Sequence, residues 1–147
     1  MDWINILFFL LVIAPLCVLI HECGHALGGL IVKADQVRLE FGIGWKIKEF
    51  AWKKVQVVLY TFLFIGGLAQ STRNIPFTRM EVAIISVSGP LLNTIIAFLV
   101  ICLETTSVLG QLFMFFNLWL AFINVIPFKW KQKKSDGYII MQQLLKK

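Results

Sequence analysis

Residues 3–32 read WINILFFLLVIAPLCVLIHECGHALGGLIV, a run whose strongly polar side chains are Asn5 and the group His21, Glu22 and His25. Crossing a bilayer takes about 20 residues of apolar helix, and this run exceeds that. It does not look like a cleaved leader: its one early charge is Asp2, and no small-residue cleavage site is evident. We expect a retained transmembrane helix. Ionisable groups inside such a helix are costly and usually mark function. Residues of a helix turn by about 100° each, so His21 and His25 fall one turn apart on one face. Two imidazoles so placed can hold one zinc ion, and the Glu between them can take a proton from an attacking water. They are the only histidines in the chain. Cys23 points away from their face. Cys17 shares it, but lies about two turns from His25, too far for all three to reach one metal.

The rest of the chain fits this reading. Of its 147 residues 59% are hydrophobic and 15% charged, with a mean hydropathy of +0.81. A soluble domain is nearer half apolar and a quarter charged, and a disordered chain departs in the opposite direction. The length suits one domain, 1–147. Val82 to Leu103 carries no charge, and Leu112 to Ile126 is a shorter apolar run ended by Pro127. Val37 to Ile47 alternates with period two, its glycines suggesting a bend, and Val55 to Phe62 is β-branched and aromatic. The expected fold is therefore an α-helical integral membrane protein. It has a core of three spans, about 3–32, 82–103 and 111–127. A small cytoplasmic β-hairpin or sheet covers about 36–62, and an amphipathic helix at about 136–146 lies on the inner membrane surface. Cys17, Cys23 and Cys102 read as small buried hydrophobes rather than a disulfide scaffold.

The net charge of +6 suits a membrane surface better than nucleic acid, and its placement gives an orientation. Lys33 to Met80 holds eight cations and Phe128 to Lys147 the other six; the N-terminus and Glu104 to Gly110 hold none. Basic loops stay on the cytoplasmic side, so the N-terminus is expected outside and the C-terminus inside. His21 and His25, Gly89 to Asn93, and Asn124 then fall in one inner layer, as a buried polar site requires.

A catalytic zinc usually takes three protein ligands and keeps one position open. No third His exists, so the third ligand is a carboxylate on the cytoplasmic side. Asp136, beside Gly137, fits best, although Asp there also suits a helix N-cap. Asp35 is held in reserve. Either Asn93 or Asn124 could equally serve as an interhelical hydrogen-bonding group.

His21-Glu22-Cys23-Gly24-His25, Ser88-Gly89-Pro90-Leu91-Leu92-Asn93, Asn124-Val125-Ile126-Pro127 and Asp136-Gly137, in that order, resemble the site-2 protease family of zinc intramembrane metalloproteases. The resemblance implies a three-helix core with a β-containing segment between its first two helices. It implies one Zn2+ held by His21, His25 and Asp136, with Glu22 as general base and acid. It also implies that Asn93 and Asn124 line the site or help polarise the scissile carbonyl. The pattern departs from the family after Pro127. Phe128 to Ser135 carries four lysines and lengthens the approach to Asp136, and Ser135 stands where the family has Leu. That stretch must bulge to the cytoplasm and turn back, and Gly89-Pro90 is expected to loosen the second span.

The activity so implied is zinc-dependent endopeptidase cleavage of a membrane-inserted peptide or single-span protein near the cytoplasmic face. The substrate strand would pair with the Val37 to Phe62 segment. The partners are that substrate and the lipid bilayer, with no nucleic acid and no evident oligomer, and the setting implied is a bacterial cell membrane. Three spans without an added module suggest a narrow, dedicated substrate. The rival readings are a non-catalytic membrane protein of the same fold used for binding or regulation, and a small metal-binding membrane protein.

Overall fold

Pro15 has no N–H to return to the preceding turn, and the first helix widens just before it. The computed structural model, which describes residues 2–131 and 133–145, shows helix α1 over Trp3–Ile31, with a π-helical stretch at Phe9–Ile13 where the Ala14 N–H reaches back to Phe9 O. The widened turn absorbs the missing donor without breaking the helix. Helix α2 spans Arg79–Cys102 and helix α3 Val108–Val125. Thr78 and Glu81 form a reciprocal capping box at the start of α2, and the Ser107 side chain accepts from the Gly110 N–H at the start of α3. All three helices are long and apolar enough to cross a membrane. Their outward side chains are large: Trp3, Ile31, Phe98 and Phe122 are all exposed. Small residues line the contact between α1 and α2. A Cβ at Gly24 would collide with the backbone of Ser88 and Gly89, and one at Gly28 would lie 2.5 Å from Ser88 Oγ. Helices α1 and α2 therefore meet backbone to backbone, as helices do in lipid.

Strands β1 (Gln36–Trp52) and β2 (Val55–Thr72) form one long antiparallel hairpin, folded over on itself. Chain turns at Gly42 (φ +86) and Gly66 (φ +76) use backbone angles that glycine adopts without strain. After folding, the first half of β1 is flanked on both sides. Arg38 has Gln70 on one side, in the antiparallel half, and Gln56 on the other, where partner numbers climb together. Trp52 to Lys48 pairs with Val55 to Leu59 on the far edge. Val37, Leu39 and Phe41 are buried and pack against Ala26 and Ala34, which fixes the sheet to the end of α1. Beyond the Gly42 turn the face reverses, and Ile43, Trp45 and Ile47 are exposed. The sheet continues to Thr72 rather than ending near residue 62, because Gly66-Gly67 re-aims the strand instead of closing it. Arg73 then pins the link into α2. It meets Glu81 through both terminal nitrogens (2.9 and 2.7 Å) and donates to Val32 O at 2.9 Å.

After Ile126 the lysine-rich stretch is a miniature antiparallel hairpin, β3 (Lys129–Trp130) with β4 (Lys133–Lys134), turning through Lys131 at φ +53. Helix α4 follows at Asp136–Leu145, and the final residue of the expected 136–146 helix lies outside the described residues. Ser135, buried, ties the base of the hairpin together. Its Oγ donates to Ile126 O (2.7 Å) and accepts from the Phe128 and Tyr138 N–H groups (3.0 and 3.1 Å). The Tyr138 bond makes Ser135 the N-cap of α4. The capping role open to Asp136 on sequence grounds is thus filled by its neighbour, and the Asp136 carboxylate faces elsewhere.

Candidate active site

Helix α1 presents His21 and His25 toward α2, with ring centroids 4.7 Å apart and nearly perpendicular. Each ring is held from behind by its Nδ1. His21 Nδ1 meets Asn93 Oδ1 at 2.8 Å, and His25 Nδ1 meets the backbone carbonyl of Ile85 at 2.8 Å. A carbonyl only accepts, so His25 carries its proton on Nδ1. Asn93 Nδ2 lies 3.2 Å from the Cys17 carbonyl, which turns its oxygen to His21 and sets the same tautomer there. Both Nε2 atoms are left with lone pairs, and they point at the same place, 3.1 Å apart.

Asp136 completes the convergence from the start of α4. Its Oδ2 lies 3.1 Å from His21 Nε2 and its Oδ1 3.3 Å from His25 Nε2. Ligand atoms of the three residues all lie within 4.8 Å of one another. Two lone pairs and a carboxylate aimed at one point repel one another unless something positive lies between them. A proton can join two of these groups, whereas a divalent cation joins all three. Two neutral imidazoles and one carboxylate also match the donor set of a catalytic zinc, with a position left open. The residues present therefore fit the metal. The approach of Asp136 depends on Gly137, where a Cβ would run into the Val125 carbonyl. Asp35, the reserve ligand, is outside the cluster: its carboxylate accepts from the Asn74 N–H at 2.9 Å.

Glu22 lies beside the cluster rather than in it. It lines a cavity of about 310 Å³ together with His21, His25, Asp136, Asn124 and the strand residues Leu68 and Ala69. Its Cγ would lie 2.8 Å from a Cβ at Gly67. The last stretch of β2 thus runs along the mouth of the site. Asn124 reaches the cavity while its amide donates to Leu120 O at 2.9 Å. Asn93 does not line the cavity. It is wholly buried behind His21, with both its oxygen and its nitrogen engaged. Gly89 makes room for the pair of rings, since a Cβ there would lie 2.5 Å from His25 Nε2 and 3.0 Å from His21 Nε2. Helix α2 continues unbroken through Gly89 and Pro90, so this glycine serves packing against the imidazoles rather than a loosened backbone.

A model of peptidase family M50, the site-2 protease family, matches residues 8–108 of the 147-residue chain. The chain belongs to family M50. Members of this family are membrane-embedded zinc metallopeptidases. With its three apolar helices, this M50 chain is an integral membrane protein. No curated protein matches it. The M50 match takes in both histidines and the Ser88 to Asn93 stretch and stops short of Asp136.

Two residues of this M50 chain carry structural weight that the sequence reading passed over. One is Ser135, whose place before Asp136 marked it only as a departure from the family. The other is Asn117, a wholly buried amide in the middle of α3 that donates to Phe113 O (2.8 Å) and Cys17 Sγ (3.1 Å). The polar groups of the spans therefore reach deeper than one inner layer. A second Asn in a mostly apolar span, two turns before Asn124, was the available signal for it.

Proposed function

We propose that the chain is a zinc-dependent intramembrane endopeptidase that cuts a membrane-inserted peptide or single-span protein near the cytoplasmic face. The observation that carries this reading is the convergence of His21 Nε2, His25 Nε2 and the Asp136 carboxylate, with each imidazole tied back through Nδ1. His21, His25 and Asp136 would hold the ion. When bound, zinc supplies Lewis acidity, which polarises a scissile carbonyl and makes water more acidic. Glu22, one residue from His21 and facing the same cavity, takes the proton of the attacking water and returns it to the leaving amine. Leu68 and Ala69, on the last stretch of β2, line the cavity, where an extended substrate can add as a further strand. Strand addition also holds the peptide unwound, which a transmembrane helix with closed backbone hydrogen bonds would otherwise resist. Asn124 lines the cavity and offers an amide to a bound peptide. The N-terminus lies outside and the basic sheet and tail lie in the cytoplasm, by the placement of the fourteen cations.

The test is Glu22→Gln against His21→Ala in purified, folded protein and in cells. Glu22→Gln should keep about one zinc per chain and lower peptide cleavage by about 100- to 10,000-fold. His21→Ala should lose both zinc and cleavage. Peptides that accumulate uncut in the Glu22→Gln strain, identified by mass spectrometry, name the substrate. Zinc retained together with unchanged peptide levels would leave a binding module rather than a protease.

A further inference from the structure

The buried amide of Asn117 does not touch the cavity, yet it is joined to the metal cluster by an unbroken chain of directional hydrogen bonds. Phe113 O can only accept, so the nitrogen of Asn117 faces it, at 2.8 Å, and also reaches Cys17 Sγ at 3.1 Å. The oxygen of Asn117 is thereby turned toward α2, where it accepts from Asn93 Nδ2 at 2.7 Å. Asn93 Nδ2 spends its other proton on Cys17 O at 3.2 Å, which leaves Asn93 Oδ1 for His21 Nδ1 at 2.8 Å. Asn93, Asn117 and Cys17 are all fully buried, so no water competes for any link. Reversing the Asn93 amide would set its oxygen against two other oxygens, Cys17 O and Asn117 Oδ1, and its NH2 against the His21 N–H. The shorter of the two contacts that forbid this reversal belongs to Asn117.

We propose that Asn117 is a positioning residue of the metal centre, fixing the amide of Asn93 so that His21 keeps its proton on Nδ1 and offers Nε2 to the ion. The proposal rests on the reading of His21 as a zinc ligand. It adds a residue on α3 to a metal centre whose proposed ligands and the groups tethering them otherwise come from α1, α2 and α4. Groups that orient a ligating imidazole are worth about 10- to 100-fold in metal affinity, and Asn117 acts one step further out.

The test is zinc affinity, measured by chelator competition on detergent-purified protein whose fold is checked by circular dichroism and thermal melting. Asn117→Ala, or Asn117→Leu where alanine does not fold, should weaken zinc binding about tenfold and shift the visible bands of the cobalt-substituted protein. Asn117→Asp keeps an oxygen for Asn93 and should restore affinity to within about threefold of wild type. Leu120→Ala, a buried packing change on the same helix, should lower the melting temperature and leave zinc affinity alone. In an Asn93→Ala background, where the relay is already cut, Asn117→Ala should cost no further zinc affinity. Unchanged affinity in the Asn117 variants, additive losses in the double variant, or failure of both Asn117→Ala and Asn117→Leu to fold would overturn the proposal. Absence of zinc from wild-type protein, or its retention in His21→Ala, would instead overturn the ligand assignment itself.

Discussion

At the scale of single residues, the site depends on what is missing as much as on what is present. Gly89 leaves space for two perpendicular imidazoles, and a methyl group there would press on His25 at 2.5 Å. Neither ring can retreat easily, because each is tethered through Nδ1. Gly89→Ala is therefore expected to weaken zinc binding by about tenfold or more while helix content is unchanged. Zinc titration with circular dichroism checks this, and wild-type affinity in that variant would show that the rings have room to spare. The sequence made the histidine pair legible because helical spacing is a fixed geometry and ionisable groups are rare in lipid. It did not show why Gly89 is glycine, since a close approach between two helices has no signature in either helix alone. Asn93 was legible as a polar group in a span, but its place behind His21 follows from the rotation of α2 about its axis, which periodicity does not set.

At the scale of elements, the decisive part is the lengthened turn that delivers Asp136. Four lysines between Pro127 and Asp136 suggested a bulge into the cytoplasm, and the chain in fact closes a small hairpin that returns its ends to one point. Ser135 makes the closure, joining Ile126, Phe128 and Tyr138 through one hydroxyl. Ser135→Ala removes the cap of α4 and leaves the Phe128 N–H without its partner, which should cost about 1–2 kcal/mol of stability. Zinc should dissociate faster in that variant, because the proposed third ligand, Asp136, is the residue that follows. A melting temperature and a zinc off-rate within error of wild type would contradict this. The hairpin was not legible because strands of two residues carry no periodicity. Ser135 was not legible as the N-cap because Ser and Asp both suit that position. The long sheet was legible in its first half, where Val37, Leu39 and Phe41 alternate onto the core. It was lost after Phe62, where Gly66-Gly67 interrupts the β-branched and aromatic run.

At the scale of the whole molecule, three helices are long and apolar enough to cross a membrane, and family M50 membership comes from a match over 8–108. The number of helices was legible because about 20 apolar residues suffice to cross a bilayer. The proposed orientation makes a direct prediction. In an otherwise cysteine-free chain, Thr106→Cys, between α2 and α3, should react with a membrane-impermeant maleimide in intact cells. Lys53→Cys, at the tip of the sheet, should react only after permeabilisation, and the reverse pattern would invert the protein in the membrane. Zinc X-ray absorption on the purified protein reports whether His21, His25 and Asp136 together hold a hydrolytic zinc, as proposed. The expected result is about one zinc per chain, bound by two imidazole nitrogens and by oxygen at about 2.0–2.2 Å, with the imidazole signal lost in His21→Ala. A shell containing sulfur at about 2.3 Å, or a shell unchanged by His21→Ala and Asp136→Ala, would contradict it.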